Sequence, residues 1–519
     1  MNVVGIRQGG ETSTEGFKAK ENAFLRRVRL HPNSLRIGRT PAGIPTVADD
    51  NCMLASSHNS AQTQLLLAQS NASRVRYIFS EAKSRVLYFP NKATKSVEPK
   101  PPLTINGSKM SYSDSETHLG LVRTTDGKAD STTSKSVQSG RRAAYKLMGA
   151  GFSGVNGISP FYTRCMVTTY VMPCLTYGLE AMVMEDKNYE VLDKYHRGLL
   201  RQLQGLPDST ATPAIYLLLG SLPCQAIIHQ KILTLFISIL HRDGTPEYAI
   251  MHRQLAMKTT SSSSWTAKLR LILHQYNLPL ALELAGNPPS KEQWKGTVKE
   301  AIKDYWDYTL KEEARAKKTL RFLNIDICST RYCHPVWETG TDPLQSYMAT
   351  VKAMLLVDRY PLTGLKCAGK KQLELCPHCK REPENLQHFL LYCPLYNNQR
   401  TKYLSTLQEQ LPHINLNNMC DDDKVKVILD PSHFALTDED LESAERTTRR
   451  MCFSLHNTRA NEDGTGPRYG WVSQRVRGMG VQSKHVKQVK ASIQLQSHSK
   501  APASADEVLL LDRRNLPQQ

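Results

Sequence analysis

Three cysteines and one histidine lie close together in the sequence, at spacings that suit a metal ion. Two of the cysteines form a Cys-x2-Cys pair, which can present two thiolates to one ion. The histidine follows in a short helix-like stretch, and the last cysteine comes soon after it. The four residues are Cys376, Cys379, His388 and Cys393. Because four soft or borderline ligands complete a tetrahedral shell, we predict a structural zinc site without an open catalytic position.

Other cysteines and histidines near these four have to be weighed as ligands. His378 lies inside the Cys-x2-Cys pair and is interpreted as a bystander, whereas Cys367 remains an alternative ligand. A second group consists of Cys328, Cys333 and His334. It lacks a fourth ligand, so we interpret its thiols as part of the core or the surface.

Two adjacent carboxylates, Asp49 and Asp50, are the second feature that could do chemistry. Apolar residues lie on both sides of the pair, so we predict a β-hairpin with the aspartates near its tip. Mg²⁺ prefers hard oxygen ligands, and two-metal phosphoryl transfer uses such carboxylates to hold the attacking and leaving oxygens. An acidic pair in a turn is by itself usually only solvated, so its interpretation depends on the neighbouring segments.

These neighbouring segments resemble, in order, the palm of the reverse transcriptases of non-LTR (LINE-type) retrotransposons. The matching stretches are Arg7-Gln8-Gly9 (motif B), Ala48-Asp49-Asp50 (motif C), residues 76–89 with Lys83 (motif D), and Leu119-Gly120 (motif E). Later stretches that resemble the thumb of the same family are Arg141-Arg142-Ala143-Ala144-Tyr145 and Tyr170-x2-Pro173-x3-Tyr177-Gly178. The cysteine and histidine spacing is similar to the zinc motif that follows the polymerase in that family.

The resemblance implies a role for each matching residue. Asp49 would bind a catalytic metal with support from Asp50, which makes Mg²⁺ the second expected cofactor. Lys83 would protonate or neutralise the departing pyrophosphate, although it could also be one more cation of a basic face. The other matching residues would contact the nucleotide and template (Arg7, Gln8 and Gly9) or seat the primer end (Leu119 and Gly120).

The implied reaction extends a DNA 3′-hydroxyl along an RNA template, so the expected partners are an RNA template and a DNA primer or target. In the family, a further metal-binding aspartate lies upstream of motif B, but the four residues before Gly5 contain no acid. Two-metal catalysis needs carboxylates from both motifs. We therefore expect this chain, by itself, to be an N-terminally truncated and inactive RNA-directed DNA polymerase that lacks the fingers and any upstream endonuclease. The acidic cluster at 421–424 is interpreted as a solvated turn, not as a nuclease site.

The secondary structure that must position these residues changes along the chain, from mixed helices and strands to helices alone. Before residue 126 we predict a helix over about 60–79, a strand over 85–89 and a hairpin at Asn106-Gly107. Segment 126–140 is polar and rich in Ser and Thr, which predicts a surface loop. From about 141 to 365 helical patterns dominate, with a buried helix over 223–242.

The fold class that follows is α+β, arranged as successive regions. The regions are a partial palm (1–125), a thumb-like region (126–222), an α-helical connector (223–365), a zinc module (366–400), a helical C-terminal segment (401–460) and a disordered basic tail (461–519). Residues 471–500 hold six Lys or Arg and no acid. We expect this part of the tail to have a loose affinity for nucleic acid.

The composition narrows the choice of partner. Lys and Arg number 67 against 48 Asp and Glu, a formal net charge of +19 that favours a polyanion. The 12 cysteines are scattered, and no apolar run approaches the roughly 20 residues of a bilayer span, so we expect an intracellular protein without a membrane partner. Two alternatives remain open, a non-catalytic zinc protein that binds nucleic acid and a zinc-containing protein-interaction scaffold. The sequence does not determine the oligomeric state.

Overall fold

The computed structural model describes residues 13–47, 50–89, 102–153, 158–338, 342–362 and 375–462. Helices dominate this part of the chain and the strands are short, which agrees with the predicted α+β class. The motif B residues Arg7, Gln8 and Gly9, the aspartate Asp49 and the alternative ligand Cys367 lie outside the described residues. The predicted disordered tail also lies outside them, except that its first two residues belong to a helix.

The first part of the chain combines two helices with paired short strands. The helices are α1 (Ser13–Leu30) and α2 (His58–Val75). The antiparallel pairs are β1 (Arg36–Ile37) with β2 (Thr40–Pro41), β3 (Thr46–Val47) with β4 (Asp50–Asn51), β6 (Thr104–Ile105) with β7 (Ser108–Lys109), and β9 (Ser115–His118) with β10 (Leu121–Thr124). The parallel pair is β5 (Arg85–Leu87) with β8 (Ser111–Ser113). Each sheet of the described residues has two strands, so these residues do not identify a polymerase palm.

Several predicted elements of this part are confirmed. The pairing of Val47 with Asp50 makes the hairpin that the sequence predicted around the acidic pair. Asn106 and Gly107 form the two-residue turn of another hairpin, with positive φ angles of 50° and 82° that a type I′ turn requires. The predicted helix over 60–79 corresponds to α2, which ends at Val75 and is followed by Arg76 with a φ of 60°. The predicted strand over 85–89 is shorter and ends at Leu87.

The prediction of a surface loop over 126–140 is wrong, because a helix, α3 (Asp130–Gly149), occupies most of it. Its small polar side chains form a buried face instead of a solvated loop. The buried members of this face include Thr132, Thr133, Ser136 and Gly140. A Cβ atom on Gly140 would lie 3.1 Å from the Leu175 side chain. A small residue is therefore needed at this position for α3 to lie close to the helix that contains Leu175. Polar composition alone does not predict such a buried face, since Ser and Thr are common both in loops and at close helix contacts.

A body of helices follows, as predicted. Its α-helices are α4 (Pro160–Met166), α5 (Met172–Leu175), α6 (Asp186–Gln204), α7 (Thr212–Leu219), α8 (Cys224–Leu240), α9 (Pro246–Met257), α10 (Trp265–Gln275), α11 (Ala281–Gly286) and α12 (Lys291–Arg315). A π-helical turn, Val167–Val171, joins α4 to α5. Pro173 has no N–H group to donate to the preceding turn, which gives a physical reason for the wider turn just before it.

One apolar core runs through this helical body. It extends from Ala129 on the N-terminal side of α3 to Ile302 in α12, and it includes Leu192, Phe236 and Leu273. The boundary predicted at 222/223 between a thumb-like region and a connector therefore does not separate two cores. The predicted buried helix over 223–242 is confirmed as α8, which lies at the centre of this core.

The C-terminal part of the described chain contains four longer helices, which are α13 (Pro343–Leu356), α14 (Asn397–Gln410), α15 (Asp421–Leu429) and α16 (Asp438–Glu462). Residues 421–424 are the first turn of α15, so the prediction of a solvated turn there is wrong. Aspartates in a first helical turn stabilise the helix through its dipole, which explains the acidic cluster. The long helix α16 packs on both α13 and α14.

No single helix of the described residues is long and apolar enough to cross a bilayer. A bent pair, α7 and α8, satisfies the length and composition test when the two helices are taken together.

Candidate metal centre

The Cys-x2-Cys segment folds into a tight loop closed by its own backbone. Leu375 forms a β-bridge with Pro383, and the Cys376 N–H donates a 2.7 Å hydrogen bond to the Glu382 carbonyl. The turn between the cysteines is completed by Lys380, whose N–H bonds the Cys376 carbonyl at 2.9 Å and whose φ is 55°. A loop of this kind brings two thiols to the same side, as a metal-binding turn requires.

The other two side chains come from a short helical segment that follows the loop. Asn385 accepts a 2.8 Å hydrogen bond from the His388 N–H, and a π-helical turn then runs over His388–Tyr392. The N–H of Cys393 bonds the His388 carbonyl at 2.8 Å, so this turn fixes the spacing between the last two candidate ligands.

The four predicted residues come together as the sequence predicted. Their ligand atoms all lie within 4.8 Å of one another, and among the described residues this is the only group of three or more such side chains close enough to share an ion. The Sγ atoms of Cys376 and Cys393 are 3.9 Å apart, and Sγ of Cys379 lies 3.3 Å from Nε2 of His388. A tetrahedron with metal–sulfur bonds of about 2.3 Å has S···S edges of roughly 3.8 Å. The cluster therefore has the size of a tetrahedral metal site.

A carboxylate outside the cluster orients the histidine. Oε2 of Glu382 lies 3.3 Å from Nδ1 of His388, on the opposite side of the ring from Nε2. With the ring proton on Nδ1, Nε2 is left with a lone pair that faces the cysteine thiols. Glu382 is not among the residues predicted for the site, and its only signal in the sequence is its position three residues after Cys379.

The thiols of the cluster differ in electrostatic environment. Burial opposes ionisation of Cys379, but the backbone N–H groups of Arg381 and Glu382 outweigh it and lower its pKa. Burial raises the pKa of Cys393 to about 12, and the neighbouring Cys376 and Cys379 thiols add to the shift. A bound metal ion would favour the thiolate form of both cysteines, because its positive charge would outweigh the effect of burial and of the neighbouring thiols on their pKa values.

Buried contacts fix this loop and turn to the C-terminal helices. The Arg400 guanidinium donates to the carbonyls of Leu390 and Cys393 at 2.9 and 3.0 Å. Glu384, which is 1% exposed, pairs with Arg459 of α16 at 3.0 Å. The pair Glu384–Arg459 could not be inferred from the sequence, since its members are 75 positions apart. Arg400 is close in sequence to its partners, but an arginine that bonds backbone carbonyls has no sequence pattern of its own.

The remaining cysteines and histidines discussed above form no second metal group among the described residues. Sγ of Cys328 bonds the Asn324 carbonyl, and Sγ of Cys333 bonds the Leu219 carbonyl. His334 instead contacts Asp430 at 3.2 Å. All three residues are buried, so of the two interpretations left open for the thiols, core or surface, the structure supports the core.

The described residues of the palm-like motifs do not form one site. Asp50 is exposed in β4, and Lys83 is exposed at the end of the 3-10 turn Glu81–Lys83. No hydrogen bond or ion pair joins these two side chains. Within the described residues, Asp50 belongs to no group of three or more metal-binding side chains. The catalytic arrangement of motifs B, C and D therefore stays a prediction.

The residues that resemble motif E contact a residue of the segment that resembles the thumb. Leu119 and Gly120 form the two-residue turn between β9 and β10, with φ angles of 50° and 80°. The Tyr177 hydroxyl donates a 3.2 Å hydrogen bond to the Leu119 carbonyl. A Cβ atom on Gly178 would lie 2.6 Å from Leu121, so the chain after α5 lies directly against this hairpin.

No model of a known protein family matches this sequence, and none of the curated proteins is similar to it. The resemblance to non-LTR reverse transcriptases therefore depends on the motif residues alone.

Proposed function

We propose that this chain is the nucleic-acid-holding part of a non-LTR retrotransposon reverse transcriptase, in which a zinc module and a helical body grip an RNA template and a DNA primer. The observation that carries the proposal is the cluster of Cys376, Cys379, His388 and Cys393, whose ligand atoms lie within 4.8 Å of one another. Its spacing is similar to the zinc motif of that family. Two further features support contact with nucleic acid: a zinc module that stabilises its own loop, and exposed positive charge on a helix that comes before it in the chain.

Zinc is the metal that this donor set favours. Three sulfur ligands and one nitrogen ligand in a tetrahedral arrangement suit Zn²⁺, whereas Mg²⁺ requires oxygen ligands. The four side chains complete the coordination shell, so zinc would be structural here and would stabilise the loop on α14 and α16. Mg²⁺ would bind instead at Asp49 and Asp50, and weakly, because two neighbouring carboxylates replace few of its waters.

A basic face on α3 supports contact with phosphates. Arg141, Arg142 and Lys146 are exposed on this helix, and no ion pair to an acid is formed by any of them within the described residues. Tyr145 on the same helix is 42% exposed. Unpaired cations beside an exposed aromatic ring suit the backbone and bases of a nucleic acid.

The binding proposal is tested with the zinc-loaded chain and a fluorescent RNA–DNA hybrid. The logarithm of the binding constant should fall linearly with the logarithm of the salt concentration, because phosphate contacts release counterions. Arg141→Ala/Arg142→Ala should weaken binding and make the slope shallower by about one to two. Arg446→Ala, which removes a cation already paired with Glu442, is the matched control. Failure to bind the hybrid at low salt, with zinc bound and the chain folded, would leave the interaction-scaffold alternative.

Catalysis is a separate question, and we propose that the chain by itself does not polymerise. Primer extension on an RNA template should give no product above that of Asp49→Ala, because one acidic hairpin does not hold two metal ions. Hybrid binding should be the same in both proteins. DNA synthesis by the unmodified chain and not by Asp49→Ala would show that the chain is an active polymerase.

A further inference from the structure

Arg400, the fourth residue of α14, is a buried cation that forms no ion pair with a carboxylate of the described residues. It is only 8% exposed. Its guanidinium donates to the carbonyls of Leu390 and Cys393 at 2.9 and 3.0 Å and to Oδ1 of Asn397 at 2.7 Å. None of these three acceptors carries a full negative charge. Burying a cation without a counter-ion is costly, so buried charges in proteins are normally paired or lie at metal sites.

The other buried cations of the described residues have the counter-ion that Arg400 lacks. Each of them forms an ion pair with a buried glutamate, and these pairs are Lys352–Glu445, Arg449–Glu445 and Arg459–Glu384. The helix dipole does not compensate Arg400 either. This residue lies in the first turn of α14, where the partial charge of the helix is positive. A negative charge from another source is therefore needed beside it.

The metal cluster lies beside this cation. Cys393, whose carbonyl accepts a hydrogen bond from Arg400, is itself one of the four candidate ligands. Covalent geometry keeps a cysteine sulfur within about 5 Å of its own carbonyl oxygen, so the guanidinium lies within roughly 8 Å of this sulfur. Three thiolates, one neutral histidine and one divalent ion carry a net charge of −1. The loaded cluster can therefore supply the missing negative charge.

We propose that Arg400 is the counter-ion of the zinc cluster and that its charge raises the affinity of the cluster for a divalent ion. Without metal the thiols are protonated and the cation is uncompensated, whereas the loaded cluster and the cation together are neutral. At about 8 Å and an effective dielectric constant of about 20, this attraction corresponds to roughly 30-fold in a binding constant. The inference rests on the zinc site of the proposed function and not on its nucleic-acid partner.

Two substitutions of Arg400 separate its charge from its hydrogen bonds. Arg400→Lys keeps the charge and loses the planar fork of donors, whereas Arg400→Gln keeps an N–H donor and loses the charge. The zinc dissociation constant of each full-length chain is measured by competition with a chromophoric chelator. It should stay within about threefold of the unmodified value in Arg400→Lys and rise roughly 30-fold in Arg400→Gln. Lys402→Gln, which removes an exposed cation from the same helix, is the control and should leave the affinity unchanged.

A second pair of variants tests the same charge with Arg400 intact, and it decides the question if Arg400→Gln does not fold. Asn397→Asp places a carboxylate where the amide oxygen already accepts the Arg400 bond. This carboxylate gives the guanidinium another counter-ion, so zinc binding should weaken about three- to tenfold, although an acid in the first turn favours the helix. Asn398→Asp is the matched control, because it adds the same charge at the next exposed residue, whose side chain accepts no hydrogen bond from Arg400.

Equal losses of zinc affinity in Arg400→Lys and Arg400→Gln would overturn the proposal, because the hydrogen bonds and not the charge would then matter. The same holds if Asn397→Asp and Asn398→Asp bind zinc equally well, or if Lys402→Gln weakens binding as much as Arg400→Gln does. An unmodified chain that binds no zinc removes the zinc site of the proposed function together with this inference. Zinc binding of equal affinity in every variant removes only the role of Arg400 and leaves the proposed function intact.

Discussion

The hydroxyl of Tyr177 donates a hydrogen bond to the backbone carbonyl of Leu119 across 3.2 Å. This contact holds the turn between β9 and β10 against the chain that leaves α5. Gly120 lies beneath the same ring, since a Cβ atom on it would be 3.0 Å from Cε1 of Tyr177. The two segments that resemble motif E and the thumb therefore form one packed unit.

Replacement of the turn glycine should reveal how tightly this unit is packed. Gly120→Ala should destabilise the protein by about 1 kcal/mol more than Gly107→Ala. Both glycines have nearly the same positive φ, 80° and 82°, so the backbone strain of an alanine is similar at the two sites. Only Gly120 has a neighbour, because nothing lies within 4 Å of a Cβ atom on Gly107. Urea unfolding of the two variants measures the difference, and equal losses would contradict the Tyr177 contact.

Removal of a cluster ligand should abolish metal binding. Cys376→Ser and His388→Ala should each reduce the zinc content from one per chain towards zero, because a tetrahedral shell with three ligands holds the ion much less tightly. His378→Ala should keep one zinc, since this residue is not part of the cluster. Elemental analysis gives the stoichiometry, and the absorption of a cobalt-substituted sample reports thiolate ligation. One zinc per chain in both ligand variants would mean that Cys376 and His388 are not ligands of the zinc.

The carboxylate that contacts His388 should tune the affinity for zinc without being a ligand. Glu382→Gln should weaken zinc binding by about 10–100-fold and keep a stoichiometry of one, because the amide orients the imidazole less strongly. Competition with a chromophoric chelator measures the affinity. Glu409→Gln, which alters an exposed carboxylate outside the cluster, is the control. A loss of stoichiometry in Glu382→Gln would instead place Glu382 among the ligands.

Replacing only one partner of the buried ion pair between α13 and α16 should strongly destabilise the protein. Nζ of Lys352 bonds Glu445 at 2.5 Å and the hydroxyl of Thr448 at 2.7 Å, and Lys352 is fully buried. Lys352→Met should destabilise the protein by roughly 3–5 kcal/mol, because Glu445 keeps a buried charge with a weaker partner. Lys352→Met/Glu445→Leu should recover much of this loss. Equilibrium unfolding of the single and double variants tests it, and additive losses would show that the two charges are not coupled.

Buried histidines should make the fold sensitive to mild acid. His229 lies between the rings of Tyr189 and Tyr276, and burial lowers its pKa from 6.5 to about 3. The unfolded chain therefore takes up the proton at a higher pH than the folded one does. The full stability is present above pH 6.5 and is lost as the pH falls from 6.5 towards 3, by at most roughly 4 kcal/mol.

The expected signature is a shallower pH dependence in His229→Gln between pH 6.5 and 4, measured as the free energy of unfolding in urea. Tyr276→Phe, which removes the hydroxyl bonded to Nδ1 of His229 and keeps the titrating ring, should retain the slope of the unmodified protein. A slope that is the same in all three proteins would assign the acid sensitivity to other groups.

Local features of the fold could be predicted where one short segment determines the outcome. The turn at Asn106-Gly107 depends on a few neighbouring residues, and it is present. The four ligands of the metal cluster could also be found, since the metal imposes the spacing of its own ligands within 18 residues. These signals are short-range, so a single sequence contains them in full.

Features that depend on distant contacts could not be predicted. Segment 126–140 is polar in composition, but Thr132, Thr133 and Ser136 are buried on α3, and Gly140 lies against Leu175 of α5, a helix that comes later in the chain. The pairs Lys352–Glu445 and Glu384–Arg459 join residues 93 and 75 positions apart.

The continuous core from Ala129 to Ile302 has a consequence for how this chain can be divided. Residues 126–222, expressed alone, would leave the apolar surfaces that face α8 and α12 open to water and should aggregate or stay unfolded. Moving either half into another protein would therefore require matching changes on both apolar surfaces.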